Sequence, residues 1–101
     1  MFEIDSTEEL DEWIAGLRDR KGRAIILRRI DRIQLGNFGN VEPVGEGVSE
    51  LKIYFGPGYR VYFGREGKTI IILLGGGSKR RQSADIATAV ERWRRYKQSK
   101  N

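Results

Sequence analysis

The sequence predicts an α+β fold in which an N-terminal helical hairpin packs on a small antiparallel sheet of three to four strands, with a helix at the C-terminus. Apolar residues recur with the spacing of a helix face in the first 35 residues and again near the C-terminus. Between residues 50 and 74, short apolar or alternating segments are separated by glycine-containing turns, which is typical of strands. A chain of 101 residues fits one domain, 1–101.

Two helices are predicted before residue 36. The first follows Ser6, which is suited to cap a helix with Glu9 three residues later. The second spans residues 23–35, after a turn at 18–22, and Gly36 ends it. The apolar stripes that should face the core are Leu10, Trp13, Ile14 and Leu17 in the first helix and Ile26, Leu27, Ile30 and Ile33 in the second.

The strands should follow a glycine-rich loop at residues 36–47, with Phe2–Ile4 as a further short edge strand. Segments 50–55 and 59–63 alternate, whereas 69–74 is apolar on both faces and should be the most buried strand. The three glycines 75–77 are expected to break this strand before the last helix. Alternation places four polar or aromatic residues on a face of the sheet that the helices leave open: Lys52, Tyr54, Arg60 and Tyr62.

Composition excludes several classes of site. The chain has no cysteine and no histidine, so thiolate zinc sites, disulfides and histidine-based catalytic triads are impossible. No metal and no cofactor are expected. The acidic N-terminus and the absence of an apolar run of roughly 20 residues indicate a cytoplasmic protein without a membrane partner.

Positive charge is concentrated where chemistry could occur. The net charge is +5, and residues 51–82 carry seven bases against one acid. RNA supplies its own nucleophile, the 2′-hydroxyl, so a ribonuclease needs only a proton acceptor, a proton donor and positive charge for the phosphate. Lys52 or Lys79 is the predicted proton acceptor, which requires a pKa roughly 3 units below the usual value. Arg60 is predicted to stabilise the pentacoordinate phosphate.

Stacking groups and further cations complete the predicted site. Tyr54, Tyr59 and Tyr62 are placed to stack on RNA bases, although strand propensity also explains tyrosines at these positions. Arg80 is assigned to catalysis and Arg81 to RNA binding; a solvated basic loop at 79–81 is the alternative reading. The glycines 75–77 could likewise cradle a phosphate, or simply end the strand.

The stretches SELKIYFGPGYRVYF and LLGGGSKRRQSADIATA closely resemble the RelE/ParE superfamily of toxins from type II toxin–antitoxin systems, in particular the HigB-like "addiction module killer" branch. The resemblance implies two helices on a small antiparallel sheet and metal-independent, ribosome-dependent cleavage of mRNA. By position it implies that Arg60 is the characteristic active-site arginine, that Lys52 is the strand lysine and that Lys79 and Arg80 form the basic loop. Ile86 stands where RelE has a tyrosine, and Ser78 where HigB-like chains have an acid.

The same resemblance implies the partners. These are a cognate antitoxin of helix-turn-helix type, the ribosome with its mRNA, and operator DNA through the antitoxin complex only. A ParE-like inhibitor of DNA gyrase without nuclease chemistry is the alternative, and a decayed toxin that only binds antitoxin or DNA is a third possibility. The clustered cations favour the nuclease, because a gyrase inhibitor does not need them.

Overall fold

The computed structural model describes residues 1–100, in which three α-helices flank a five-stranded mixed sheet of order β1-β5-β4-β3-β2. β1 is parallel to β5, and the other neighbouring strands are antiparallel. In chain order the elements are β1 (Glu3–Ser6), α1 (Glu8–Ala15), α2 (Arg20–Gln34), β2 (Val41–Gly45), β3 (Val48–Ile53), β4 (Tyr59–Glu66), β5 (Ile70–Ser78), a 3₁₀ turn (Lys79–Arg81) and α3 (Gln82–Ser99).

The fold is α+β, but the predicted arrangement, a helical hairpin on an antiparallel sheet of three to four strands, is wrong. β1 pairs in parallel with β5, from Glu3 opposite Ile70 to Ser6 opposite Leu73. β2 arises from the segment expected to be a loop. It is joined to β3 through Glu46 and Gly47, whose φ angles of 56° and 84° suit a two-residue hairpin turn. Both differences concern pairing between strands, which periodicity within one segment does not encode.

α1 and α2 cover one face of the sheet. Thr7, rather than Ser6, caps α1 by accepting a hydrogen bond from the Leu10 backbone N–H at 3.2 Å. Of the predicted stripe of α2, Leu27 is exposed. The core on this face joins the two helices to alternate residues of the central strands: Leu10, Ile26, Ile30, Ile33, Leu51, Ile53, Tyr59, Val61, Phe63, Ile71 and Leu73.

α2 is anchored to β4 through its first turn. Asp19 accepts a hydrogen bond from the Gly22 backbone N–H at 2.9 Å, as an N-cap, and a second from the Tyr59 hydroxyl at 2.8 Å. These hydrogen bonds lower the pKa of Asp19, and the bond from the Gly22 backbone has the larger effect. One aspartate therefore sets both the start of the helix and its position against the sheet.

α3 covers the opposite face of the sheet, the face expected to be open. Ala89 and Trp93 pack on Val48, Ile72 and Leu74 in a second core. Gly64 in β4 lies directly beneath the Trp93 ring, since a Cβ atom there would lie 2.5 Å from it. The apolar stripe of α3 needs an apolar surface to pack on. β5 is apolar on both faces, and the face that α1 and α2 leave uncovered supplies that surface.

β5 continues through the three glycines to Ser78, so the predicted break at Gly75 is wrong. The space that side chains would occupy at these positions is filled by others: a Cβ at Gly75 would meet Arg92, one at Gly76 would meet the Trp13 ring, and one at Gly77 would meet Asp85. Small residues are therefore needed here for close packing. No helix in the described part of the chain has the length and hydropathy to cross a membrane.

Candidate nucleic-acid interface

The three cations at the junction of β5 and α3, Lys79, Arg80 and Arg81, form an exposed basic turn. The Lys79 backbone N–H donates to the Pro57 carbonyl oxygen at 3.4 Å, and Gly58, with φ of 77°, passes close to the Lys79 side chain. The β3–β4 connection therefore supports the basic turn. A groove of about 760 Å³, lined by residues 78–84, runs along it.

Only one of the three tyrosines predicted to stack on RNA is available to do so. Tyr54, in the β3–β4 connection, is 75% exposed. Tyr59 is buried on the α1/α2 face, and Tyr62 is fully buried beneath α3. Burial, with the neighbouring Glu50 carboxylate, raises the pKa of Tyr62 well above its usual value. The assignment of Tyr59 and Tyr62 to RNA stacking is corrected, because both rings are packing groups between the sheet and its helices.

Lys52 lies opposite Arg60 on the face of the sheet that α3 covers, and it is held as a cation. Its ammonium group donates a hydrogen bond to Glu42 Oε2 at 2.9 Å. This contact raises the pKa of Lys52, although partial burial opposes the change. A general base must lose its proton near neutral pH, so the ion pair argues against that role for Lys52.

We expect Glu42→Gln to lower the pKa of Lys52 towards that of an ordinary lysine, since the hydrogen bond to the carboxylate is the main cause of the rise. Alkaline NMR titration of the Lys52 side-chain resonances measures this directly. Glu46→Gln, which removes an exposed carboxylate from the opposite end of the β2–β3 hairpin, is the matched control and should leave the pKa of Lys52 unchanged. A Lys52 pKa below the ordinary value in the unaltered protein would contradict the ion pair and restore Lys52 as the base.

Arg60 is buried rather than displayed on an open face. It is 5% exposed, and its Nε lies 3.8 Å from Glu50 Oε2. Gln82, at the start of α3, donates to both oxygens of Glu50 at 3.1 and 2.8 Å. Arg60 Nε and Nη1 have no hydrogen-bond partner among the described residues. Arg60 therefore lies beneath the start of α3 beside a carboxylate of opposite charge, where an RNA phosphate has little direct access to it.

The residues that the prediction missed are acidic or amide groups in this buried region. Glu50 alternates with core residues in β3, a pattern that indicates exposure, yet it is 1% exposed. Gln82 and Asp85 occupy the first turn of α3, where polar residues are ordinary. Nothing in the spacing of these residues marks them, because they meet Arg60 and Gly77 only after α3 has packed on the sheet.

Comparison with known proteins gives one informative relative. Over 88 residues the chain is 41% identical to an uncharacterized protein of Haemophilus influenzae, and the match covers 87% of this chain and 89% of that protein. The two belong to one family. No protein-family model matches the chain. The name of the Haemophilus protein assigns no activity, so the function of this family has to be argued from the residues described above.

Proposed function

We propose that this protein is the toxin of a type II toxin–antitoxin module, of the HigB-like branch of the RelE/ParE superfamily, and that it inhibits translation by cleaving mRNA on the ribosome in the cytoplasm. The observation that carries the proposal is the basic turn, in which three consecutive exposed cations border a groove and are supported by the β3–β4 connection that carries the exposed Tyr54. Such an arrangement suits the binding of a phosphate backbone with a base stacked nearby. The resemblance of residues 49–63 and 73–89 to these toxins supports the same function.

The proposed reaction uses the 2′-hydroxyl of RNA as nucleophile. Its oxygen attacks the adjacent phosphorus, and the 5′-oxygen of the next nucleotide leaves with a proton. Arg80 and Arg81 stabilise the negative charge that develops on the phosphate. Lys79 accepts the proton of the 2′-hydroxyl and returns it to the leaving 5′-oxygen, because the ammonium group of Lys52 is engaged by Glu42. Arg60, buried and paired with Glu50, is given no direct contact with the phosphate. The ribosome contributes by holding the RNA in a geometry that favours in-line attack.

The second candidate is a gyrase inhibitor without chemistry of its own. It is favoured by one observation, namely that Lys52 is ion-paired while Arg60 and Tyr62 are buried. An inhibitor that only binds needs an exposed patch such as the basic turn and has no need of a proton acceptor. In either case the proposed partner is an antitoxin of helix-turn-helix type, which neutralises the toxin and brings it to operator DNA.

Replacing Lys79, Arg80 and Arg81 together with alanine should reduce cleavage of a defined mRNA in a purified translation system by at least roughly tenfold, because the phosphate contacts are lost. Primer extension of the mRNA measures the new ends. The control is the triple alanine variant of Arg20, Arg28 and Arg32, which removes the same charge from exposed positions of α2 and should retain activity.

Equal cleavage by the two triple variants would contradict the assignment of the basic turn. If the unaltered protein leaves mRNA intact on translating ribosomes, the nuclease proposal fails. Inhibition of gyrase supercoiling by the same preparation would then support the second candidate.

A further inference from the structure

A second cleft adjoins the basic groove, and its walls are about equally polar and apolar. It has a volume of about 340 Å³ and lies between the end of α1, the last residues of β5 and the first turn of α3. Trp13, Leu17 and Tyr59 form one side, the Trp13 and Tyr59 rings meeting edge to face at 6.1 Å and 72°. This size and lining suit a planar aromatic ligand.

The floor of the cleft is the end of β5, where Gly76 and Gly77 replace side chains with bare backbone. β1 pairs only as far as Leu73, so within residues 1–100 no strand lies beside this end of β5 on that side. Trp13 lies against Gly76 from one face and Asp85 lies against Gly77 from the other. Because Trp13 and Asp85 both line the cleft, a ligand at this edge of β5 can contact an aromatic side chain and a carboxylate at the same time.

The polar end of the cleft holds one carboxylate and one cation. Among the described residues Asp85 makes no ion pair within 4.0 Å, and its Oδ2, which is buried against Gly77, has no hydrogen-bond partner. Burial raises the pKa of Asp85, while the charges of Arg81 and Arg92 act in the opposite direction. Arg81 and Ser78 line both this cleft and the basic groove. The two cavities are thus adjacent and meet at these two residues.

We infer that this cleft is a nucleobase subsite, in which a base of single-stranded RNA lies beside Trp13 and donates N–H groups to Asp85 while the attached phosphate lies on Arg81. The inference rests on the proposed RNA substrate and adds a specificity determinant to it. An ionised carboxylate only accepts hydrogen bonds, so it favours a base with adjacent donors. Guanine presents two, N1–H and N2–H, on its Watson–Crick edge, whereas adenine and cytosine place an acceptor beside their amino group. The cleft should therefore prefer guanine.

The test is an NMR titration of the intact chain with the 3′-monophosphates of guanosine, adenosine, cytidine and uridine. The two tryptophans report separately, because Trp13 lines the cleft and Trp93 lies in the second core. Guanosine 3′-monophosphate should shift the Trp13 indole N–H and the Gly76 and Gly77 amides and leave the Trp93 indole unmoved. It should also bind at least fivefold more tightly than the other three. Asp85→Asn should reduce this preference to less than twofold, with an unchanged Trp93 signal showing that the variant is folded.

Equal binding of the four nucleotides, shifts that avoid Trp13, or a guanine preference that survives Asp85→Asn would each overturn the inference. A second variant, Arg81→Gln, should weaken binding of all four nucleotides to a similar extent, because it removes a phosphate contact shared by them. If mRNA is cleaved on the ribosome but no nucleotide shifts Trp13, the subsite is wrong and the proposed function stands. If guanosine 3′-monophosphate binds at Trp13 but no mRNA is cleaved, the subsite stands and the proposed nuclease function is wrong.

Discussion

Replacement of Gly64 by alanine is expected to destabilise the protein by about 3 kcal/mol, because a single methyl group there has no space. A Cβ atom at this position would lie 2.5 to 2.6 Å from three carbon atoms of the Trp93 ring. Trp93 is buried and stacks on Tyr96 with ring centroids 5.6 Å apart, so α3 has to move away from the sheet to relieve the overlap. Urea-induced unfolding followed by circular dichroism measures the loss.

Gly67→Ala, in the turn that follows β4, is the matched control. No atom lies within 4 Å of a Cβ atom at Gly67, and its φ of 61° is the sole source of cost. A left-handed conformation costs a residue with a side chain roughly 1–2 kcal/mol. Equal destabilisation by the two substitutions would show that Trp93 does not pack on Gly64 as described. A second substitution that shortens the side chain at Trp93 should make Gly64→Ala less harmful.

Removal of Glu50 is expected to cost about 3–4 kcal/mol, because it leaves the buried Arg60 without a negative neighbour. Glu50 Oε2 lies 3.8 Å from Arg60 Nε, and the side chains are 1% and 6% exposed. A buried charge that loses its partner is far more costly than the pair itself is stabilising. Glu50→Leu should therefore be strongly destabilising, whereas Glu50→Leu combined with Arg60→Met should recover at least roughly 2 kcal/mol of the loss.

A double-mutant cycle by chemical denaturation measures this coupling. The control is the exposed pair Glu91–Arg94, whose side chains are 66% and 54% exposed. Its removal should change the free energy of unfolding by less than about 1 kcal/mol. Additive penalties for Glu50→Leu and Arg60→Met would mean that the two groups do not interact in the folded protein, and the description of a buried pair would be wrong.

The elements that sequence patterns located best are those whose signal is local. The stripe containing Leu10 in α1 and the turn at Gly56–Gly58 arise from neighbouring residues, since helix periodicity and turn conformation are properties of short segments. The exposure of Lys79, Arg80 and Arg81 follows the same logic, because a run of charges is rarely buried. These residues carry the proposed function.

The prediction of an open sheet face was wrong for a different reason. Alternation along β3 and β4 correctly indicated that Lys52, Arg60 and Tyr62 share a face, but it cannot tell whether a third layer covers that face. α3 covers it, so Tyr62 became a core residue and Arg60 a buried cation. The glycines at 75–77 were misjudged in the same way, since their close contacts with Trp13 and Asp85 come from distant parts of the chain.

By itself the amino-acid sequence determined where the helices and the strands other than β2 lie to within a few residues. It also determined that histidine and cysteine chemistry is impossible and that three exposed cations precede the last helix. Only the tertiary structure decided that β1 pairs with β5, that Glu42 holds Lys52 as a cation, and that Asp85 shares a cleft with Trp13. The physical reason is that local conformation depends on neighbours in sequence. Strand pairing, burial and pKa depend on residues brought together when distant segments pack.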